Sequence, residues 1–285
     1  MLGAILGDMI GSRYESNPIK RKRFTLLTED CVFTDDTVMT VAVADATLFY
    51  LTHVIYNSNF KFDEEAYKST LINSIKSWAN VYPFAGYGGK FVEWFSSGSF
   101  QPYNSFGNGS AMRVSSIPWL FNTIEEVDTF SKWSAEITHN HPEGIKGAMA
   151  TARAIFYGRE GRSKEYIKEN IEKDFGYNLS RSLKDIRPNY SFDVTCQGSV
   201  PEAIICFLES DNTIDAIRNA VSLGGDSDTQ GAIAGSIAEA YYGRFSEDIN
   251  MVFGAVLARL DRSMIYVFDR FNGYIRGTAH GGLKV

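Results

Sequence analysis

Residues 224–242 read GGDSDTQGAIAGSIAEAYY, which joins an acidic start to a long run of small residues. Within the run, Ala232, Gly235 and Ala238 lie among apolar side chains at helical spacing, which is typical of a buried helix. Small side chains let neighbouring helices approach closely. We therefore expect a buried, closely packed helix over residues 230–242.

Helical periodicity extends over most of the chain. After Thr37, the residues Val38, Val41, Ala42 and Leu48 form one apolar stripe. No pair of alternating runs is joined by an Asn-Gly or Asp-Gly turn, so no strand pair is expected. The sequence predicts one compact all-α domain over residues 1–285, with function on its connecting loops. Further helices are expected at residues 63–80, 143–157, 200–209, 213–223 and 251–260.

Composition limits the classes of function. The chain has 285 residues, 44% hydrophobic content and a net charge of −6, which disfavours a nucleic-acid partner. Three cysteines form no disulfide framework and suit a reducing compartment. The first residues lack the basic start and long apolar run of a signal peptide, and no apolar run approaches a membrane span. We expect a cytoplasmic protein with no membrane partner.

Two acidic clusters about 190 residues apart in the chain carry the strongest chemical signal. One is Thr34-Asp35-Asp36-Thr37 and the other is Asp226-Ser227-Asp228-Thr229. Carboxylates and hydroxyls are the ligands that Mg²⁺ and Mn²⁺ prefer. If the two clusters meet in the fold, they can hold a pair of metal ions.

The same clusters also fit an ordinary structural role. Asp, Ser and Thr are preferred at helix N-caps, and acids in a first helical turn suit the helix dipole. A cap, however, needs only one oxygen. The surplus carboxylates would repel one another unless solvated or neutralised by a cation, which favours the metal interpretation.

Two glycine-rich loops, residues 82–89 and 106–113, permit close approach of a ligand or form ordinary turns. In the second, Asn108 and Ser110 flank Gly109 just before a helix and can present backbone N–H groups to an anion. The histidine motif at residues 138–142 contains His139 and His141. We expect one imidazole to order the loop and the other to contact a ligand. The basic run at residues 20–23 is either a solvated loop or a phosphate contact.

Taken in order, these motifs resemble the ADP-ribosylglycohydrolase family, the group that contains dinitrogenase reductase-activating glycohydrolase. The resemblance extends over nearly the whole chain. It includes the opening helix from Gly3 to the acid Glu15, the two acidic clusters, both glycine-rich loops and the histidine motif.

The resemblance implies an all-α fold around two Mg²⁺ or Mn²⁺ ions. It also implies hydrolysis of the glycosidic bond between ADP-ribose and an acceptor. The implied metal ligands are Thr34, Asp35, Asp36, Asp226, Asp228 and Thr229. Glu15 is the expected base or metal neighbour, with Asp35 and Asp228 as further catalytic candidates. The expected substrate contacts are Tyr87, Gly88, Phe106, Gly107, Asn108, Gly109, Ser110, Met112 and His141.

The sequence leaves open which chemical group is the acceptor of ADP-ribose. Some members of the family carry an acid in the segment that corresponds to residues 82–91, whereas here the nearest acid is Glu93. The expected partner is an ADP-ribosylated protein, with arginine linkage favoured, or an ADP-ribosyl small molecule. Two alternatives are a binding protein without catalytic activity and a metallohydrolase that acts on a free nucleotide sugar or phosphoester.

Overall fold

The fold was analysed in a computed structural model that describes residues 1–54, 62–244 and 246–279. Over these ranges the chain is helical, and its one piece of β-type pairing is an isolated bridge between Gly107 and Thr195. The predicted all-α fold is therefore confirmed. None of the described helices is long and apolar enough to cross a membrane.

The helices follow one another with short connections. A π-helical turn, Tyr50–Val54, continues the second helix, and a 3-10 turn, Val114–Ser116, precedes the sixth. The α-helices are α1 (Leu2–Glu15), α2 (Asp35–Phe49), α3 (Glu64–Val81), α4 (Gly89–Ser96), α5 (Gly109–Met112), α6 (Ile117–Leu120), α7 (Ile124–Glu136), α8 (Pro142–Arg159), α9 (Lys164–Phe175), α10 (Leu183–Ile186), α11 (Cys196–Leu208), α12 (Thr213–Val221), α13 (Ser227–Tyr242), α14 (Glu247–Leu257) and α15 (Arg262–Ala279).

The predicted helices are present, with ends that differ by a few residues. Residues 63–80 were expected to be helical, and α3 begins at Glu64 because the Asp63 side chain accepts the backbone N–H of Ala66 as an N-cap. The predicted helix at residues 230–242 begins earlier, at Ser227, so the acidic cluster forms the first turn of α13. All three cysteines are buried free thiols.

The first and thirteenth helices lie antiparallel in backbone contact. Gly3, Gly7 and Gly11 recur every fourth residue and therefore share one face of α1. A Cβ atom on Gly3 would lie 2.1 Å from the carbonyl oxygen of Gly235, and one on Gly7 would lie 1.9 Å from that of Gly231. These distances are too short for any side chain, so the close packing expected of α13 is confirmed.

This helix pair divides the apolar interior. Met9 and Ile10 of α1 belong to one hydrophobic cluster, together with residues of α2, α3 and α15. Ile233 and Ile237 of α13 belong to a second cluster, with residues of α8, α11 and α12. The contact between α1 and α13 therefore joins the two halves of the core. It also brings the C-terminal end of α1 beside the N-terminal end of α13.

We predict that Gly7→Ala lowers the free energy of unfolding by about 2–4 kcal/mol, because the added methyl group collides with backbone that cannot rotate away. Urea unfolding followed by circular dichroism measures the change. The matched control is Gly254→Ala in α14, where an added Cβ meets nothing within 4 Å. That substitution should stabilise the protein by up to about 1 kcal/mol. Equal stability of the two variants would contradict the backbone-contact interpretation.

Candidate metal centre and ligand cavity

A cavity of about 440 Å³ opens where the C-terminal end of α1 meets the N-terminal ends of α2 and α13. Both glycine-rich loops border it, and Phe192 and Val194 contribute apolar surface. Five carboxylates line one part of its wall: Glu15, Asp35, Asp36, Asp226 and Asp228. The two acidic clusters, distant in sequence, thus lie side by side in the fold.

Three of these acids converge closely. Glu15 ends α1, Asp226 precedes α13 and Asp228 lies in its first turn. One carboxylate oxygen from each lies within 4.8 Å of the others. Gly11 explains this proximity, because a Cβ atom there would lie 2.3 Å from the carbonyl oxygen of Ser227. The helix contact therefore continues to the edge of the acidic cluster.

The first acidic cluster is held by a carboxylate that sequence analysis missed. Buried Asp8 accepts the backbone N–H groups of Thr34 and Thr37 at 2.9 and 3.0 Å, and the Thr34 hydroxyl at 2.8 Å. Asp8 thus satisfies N–H groups at the start of α2 that no preceding helical turn can satisfy. An acid inside the apolar run of α1 was the available signal, since an unpaired buried carboxylate is costly.

Thr34 combines two structural contacts. Its hydroxyl donates to Asp8 and accepts the backbone N–H of Asp36 at 3.3 Å, so it is the N-cap of α2. In the first cluster Thr34 is the helix cap, so the carboxylates of Asp35 and Asp36 are not needed for capping.

The five carboxylates that line the cavity, called the acidic wall below, repel one another. Burial raises the pKa of Asp36 and of Asp228 well above the usual aspartate range. The negative charges of neighbouring carboxylates raise both pKa values further. Burial also raises the pKa of Asp35, with Asp8 and Asp226 adding to the effect. Each shift reports that the ionised form lacks compensating positive charge.

The donor set fits a hard divalent cation. Asp36 Oδ2 accepts the Thr229 hydroxyl at 3.1 Å, but the buried Oδ1 atom has no hydrogen-bond partner. Such an orphaned anionic oxygen is costly unless a cation or water satisfies it. Oxygen ligands from carboxylates and threonine suit Mg²⁺ or Mn²⁺.

The predicted substrate contacts divide into two groups. Gly88, Gly107, Asn108, Gly109 and Met112 line the cavity. The side-chain amide of Asn108 does not point to an open ligand position, since its Nδ2 donates to Asp226 Oδ2 at 2.8 Å and to Ser199 at 3.2 Å. This amide therefore ties the second glycine-rich loop to the acidic wall.

The other predicted contacts lie outside the cavity lining. Tyr87 packs against Phe91 and Phe95, and Phe106 packs edge-on against His141. Ser110 is fully buried and donates to the carbonyl of Gly144 at 2.7 Å. The His141 Nδ1 atom caps α8 by accepting the backbone N–H of Glu143 at 3.1 Å.

Of the two histidines in the motif, His139 is the one that lines the cavity. His141, the histidine named above as the expected substrate contact, caps α8 and is absent from the cavity lining. In the basic run, Lys20 donates to the carbonyls of Tyr190 and Leu223, and Lys22 pairs with Asp215 at 2.7 Å. These two lysines therefore brace the loop against the fold.

Comparison with known proteins agrees with this architecture. The family model described as ADP-ribosylglycohydrolase matches residues 1–247. ADP-ribosylhydrolase ARH3 of Mus musculus is 27% identical over 321 aligned positions, covering 85% of this chain and 82% of that protein. ADP-ribosylarginine hydrolase Tri1 of Pseudomonas putida is 23% identical over 269 positions, covering 85% and 69%.

A solved structure has the same fold. The chain from an ADP-ribosylglycohydrolase-related protein complex superposes with a TM-score of 0.70 at 21% sequence identity, and the match covers 96% of both chains. Together with the family model over residues 1–247, this confirms the expectation drawn from the motifs. The chain belongs to the ADP-ribosylglycohydrolase family and is an enzyme of that family.

Proposed function

We propose that this enzyme hydrolyses the glycosidic bond between ADP-ribose and an acceptor side chain, using two Mg²⁺ or Mn²⁺ ions, and so reverses mono-ADP-ribosylation. Arginine-linked protein is the proposed acceptor class. The observation that carries the proposal is the convergence of Glu15, Asp226 and Asp228 within 4.8 Å in a cavity of nucleotide size.

The proposed metal ligands come from both acidic clusters. They are Thr34, Asp35, Asp36, Asp226, Asp228 and Thr229. The buried, partnerless Oδ1 atom of Asp36 and the raised pKa values of the acidic wall support a cation there. When bound, the ions supply positive charge that polarises ligand oxygens and neutralises the carboxylates.

Glu15 is the proposed base. Its side chain is more exposed than the aspartates, and burial, Asp226 and Asp8 raise its pKa in that order. A carboxylate with a raised pKa accepts a proton from water more readily near neutral pH. Cleavage at the anomeric carbon passes through an oxocarbenium-like state. Asp35 and Asp228, which belong to the acidic wall, are the other proposed catalytic groups.

The remaining cavity suits the nucleotide part of the ligand. Gly107, Gly109 and Gly88 present backbone without side chains, which allows close contact with a diphosphate. Met112 offers apolar surface beside them. Four further residues stay proposed as ligand contacts, although their side chains contact protein groups and do not line the cavity: Tyr87, Phe106, Ser110 and His141.

Two observations favour an arginine-linked acceptor. The relative Tri1 bears the name ADP-ribosylarginine hydrolase, and it aligns with 85% of this chain. The acids Glu15 and Asp35 are not fully buried and border the cavity, so they can attract a cationic guanidinium group. An ADP-ribosyl small molecule remains the second candidate, because residues 82–91 carry no acid for a protein acceptor.

We expect metal-dependent release of ADP-ribose from arginine-modified protein, at a higher rate than from serine-modified protein or free ADP-ribosyl compounds. Release is measured with Mg²⁺, with Mn²⁺ and with EDTA. Faster release from the serine-modified protein would overturn the acceptor assignment but keep the hydrolase. Tight ADP-ribose binding without release from any substrate would identify a binding protein.

A second prediction tests the metal ligands directly. Asp228→Asn keeps the shape of the side chain and an oxygen for its contact with the Thr229 N–H, at 3.0 Å in the native protein, but removes the charge. We expect kcat to fall about 100-fold or more, with helical circular dichroism unchanged. Asp269→Asn, an exposed acid on α15, is the control and should retain full activity. Wild-type activity of Asp228→Asn would exclude this ligand.

A third prediction concerns the stability of the metal-free protein. The folded-state pKa of Asp36 is raised, so its ionisation destabilises the fold as pH rises above the unfolded value of 3.8. In EDTA, Asp36→Asn should therefore increase the free energy of unfolding by about 1–2 kcal/mol at pH 8, and by less at pH 5.

The same variant should lose the stabilisation that Mg²⁺ or Mn²⁺ confers on the wild type. Urea unfolding at both pH values, with metal and with EDTA, measures both effects. A variant that is less stable than wild type in EDTA, yet stabilised normally by metal, would show that Asp36 is neither strained nor a ligand.

A further inference from the structure

The cavity lining includes a buried cation that has no acidic partner among the described residues. Arg113 follows α5 and is 1% exposed. Its Nη2 group donates to the Ser134 carbonyl at 2.8 Å and to the Thr138 hydroxyl at 2.9 Å. Among the described residues it forms no ion pair with a carboxylate, and its buried Nε has no hydrogen-bond partner. An uncompensated buried charge is costly, which calls for a reason for its presence.

Thr138 connects this cation to a histidine. The Thr138 Oγ1 atom lies 2.8 Å from His139 Nδ1. Because Oγ1 already accepts a hydrogen bond from Arg113, its own proton is available for Nδ1. If Nδ1 carried the proton instead, Oγ1 would accept twice and its buried hydroxyl hydrogen would have no acceptor, at a cost of about 1–3 kcal/mol. The favoured arrangement therefore makes Nδ1 an acceptor and leaves the proton on Nε2.

The opposite nitrogen of His139 faces the second glycine-rich loop. Its Nε2 atom would lie 3.1 Å from a Cβ added at Gly109 and 3.6 Å from one at Gly107. It makes no hydrogen bond within the described protein, and the residue lines the cavity. Burial, and next the charge of Arg113, lower the pKa of His139 well below the usual histidine range, so the ring is neutral at physiological pH.

We infer that Arg113 and Thr138 are positioning residues that hold His139 in the Nε2–H tautomer, so that His139 donates a hydrogen bond to a phosphate oxygen of the ligand beside Gly107 and Gly109. The identity of that ligand as ADP-ribose rests on the proposed function. The positive charge of Arg113, which lines the same cavity, strengthens the attraction for an anionic oxygen. The hydrogen bonds that link Arg113, Thr138 and His139 thus explain the buried cation. Gly107 and Gly109 leave room for the ligand beside Nε2.

A purely structural role for the same residues makes a different prediction. Arg113 also joins the end of α7 to the loop before α8, through Ser134 and Thr138. If bracing were its only purpose, loss of the Thr138 hydroxyl would lower stability without changing the histidine tautomer. A matched pair of variants separates the two roles. Thr138→Val has the same shape but no hydroxyl, whereas Thr138→Ser keeps the hydroxyl.

The first measurement is ¹⁵N NMR of the histidine rings in the free protein, where only four histidines contribute signals. We expect His139 to be purely Nε2–H in the wild type and in Thr138→Ser, and a tautomer mixture in Thr138→Val. A protonated Nδ1 in the wild type would overturn the inference. This readout requires no ligand, so it stands even if the proposed function fails.

The second measurement is calorimetric titration of the Mg²⁺-loaded protein with ADP-ribose. Affinity should fall about fivefold in Thr138→Val, the effect of one hydrogen bond, and recover in Thr138→Ser. A changed tautomer with unchanged affinity would overturn the contact between His139 and the ligand. Absence of ADP-ribose binding in the wild type would instead overturn the proposed function.

Discussion

The contact between the glycine faces of α1 and α13 governs the rest of the structure. Gly3, Gly7 and Gly11 meet backbone atoms of α13 at distances that admit no side chain. Two helices in such contact cannot slide or rotate relative to each other without a clash, because a packed interior transmits displacement instead of absorbing it. The positions of Asp8 and Glu15, both on α1, are therefore set relative to Asp226 and Asp228 by backbone geometry.

The rigid contact between α1 and α13 keeps the carboxylates of the acidic wall close together despite their mutual repulsion. Asp36, Asp226 and Asp228 are buried, and burial raises the pKa of each. Left to relax, like charges would move apart or take up protons. Asp8 prevents this on the α2 side by holding the backbone of Thr34 and Thr37, and Asn108 restrains Asp226. Carboxylates held together in this way are unfavourable unless a positive charge compensates them.

Much of this arrangement could be predicted from the sequence, and the failures have physical causes. Long apolar stripes and small-residue runs predicted α2, α3, α8 and α13, because a buried helix repeats its pattern over several turns. The helix α9 was not predicted, since its buried face consists of little more than Ile167 and Ile171. The helix α7 was also missed, although Thr123 and Glu126 form a capping box at its start.

The candidate site shows the same division between local and non-local information. The acidic clusters are local motifs and could be recognised as such, whereas Asp8 acts on residues 26 and 29 positions away. The sequence also could not predict which of the two histidines lines the cavity. His139 and His141 are two residues apart, and their roles follow from the end of α7 and the start of α8, where His141 caps the helix.

Charges of opposite sign lie in different parts of the cavity lining, and most of them are buried. Carboxylates from α1, α2 and α13 form one wall, and the buried side chain of Arg113 lies with His139 in another part of the lining. In the cavity without bound cations, an anionic group is repelled by the carboxylates and attracted towards Arg113. The carboxylates that set this preference lie on or next to α1, α2 and α13, and α1 and α13 cannot move independently.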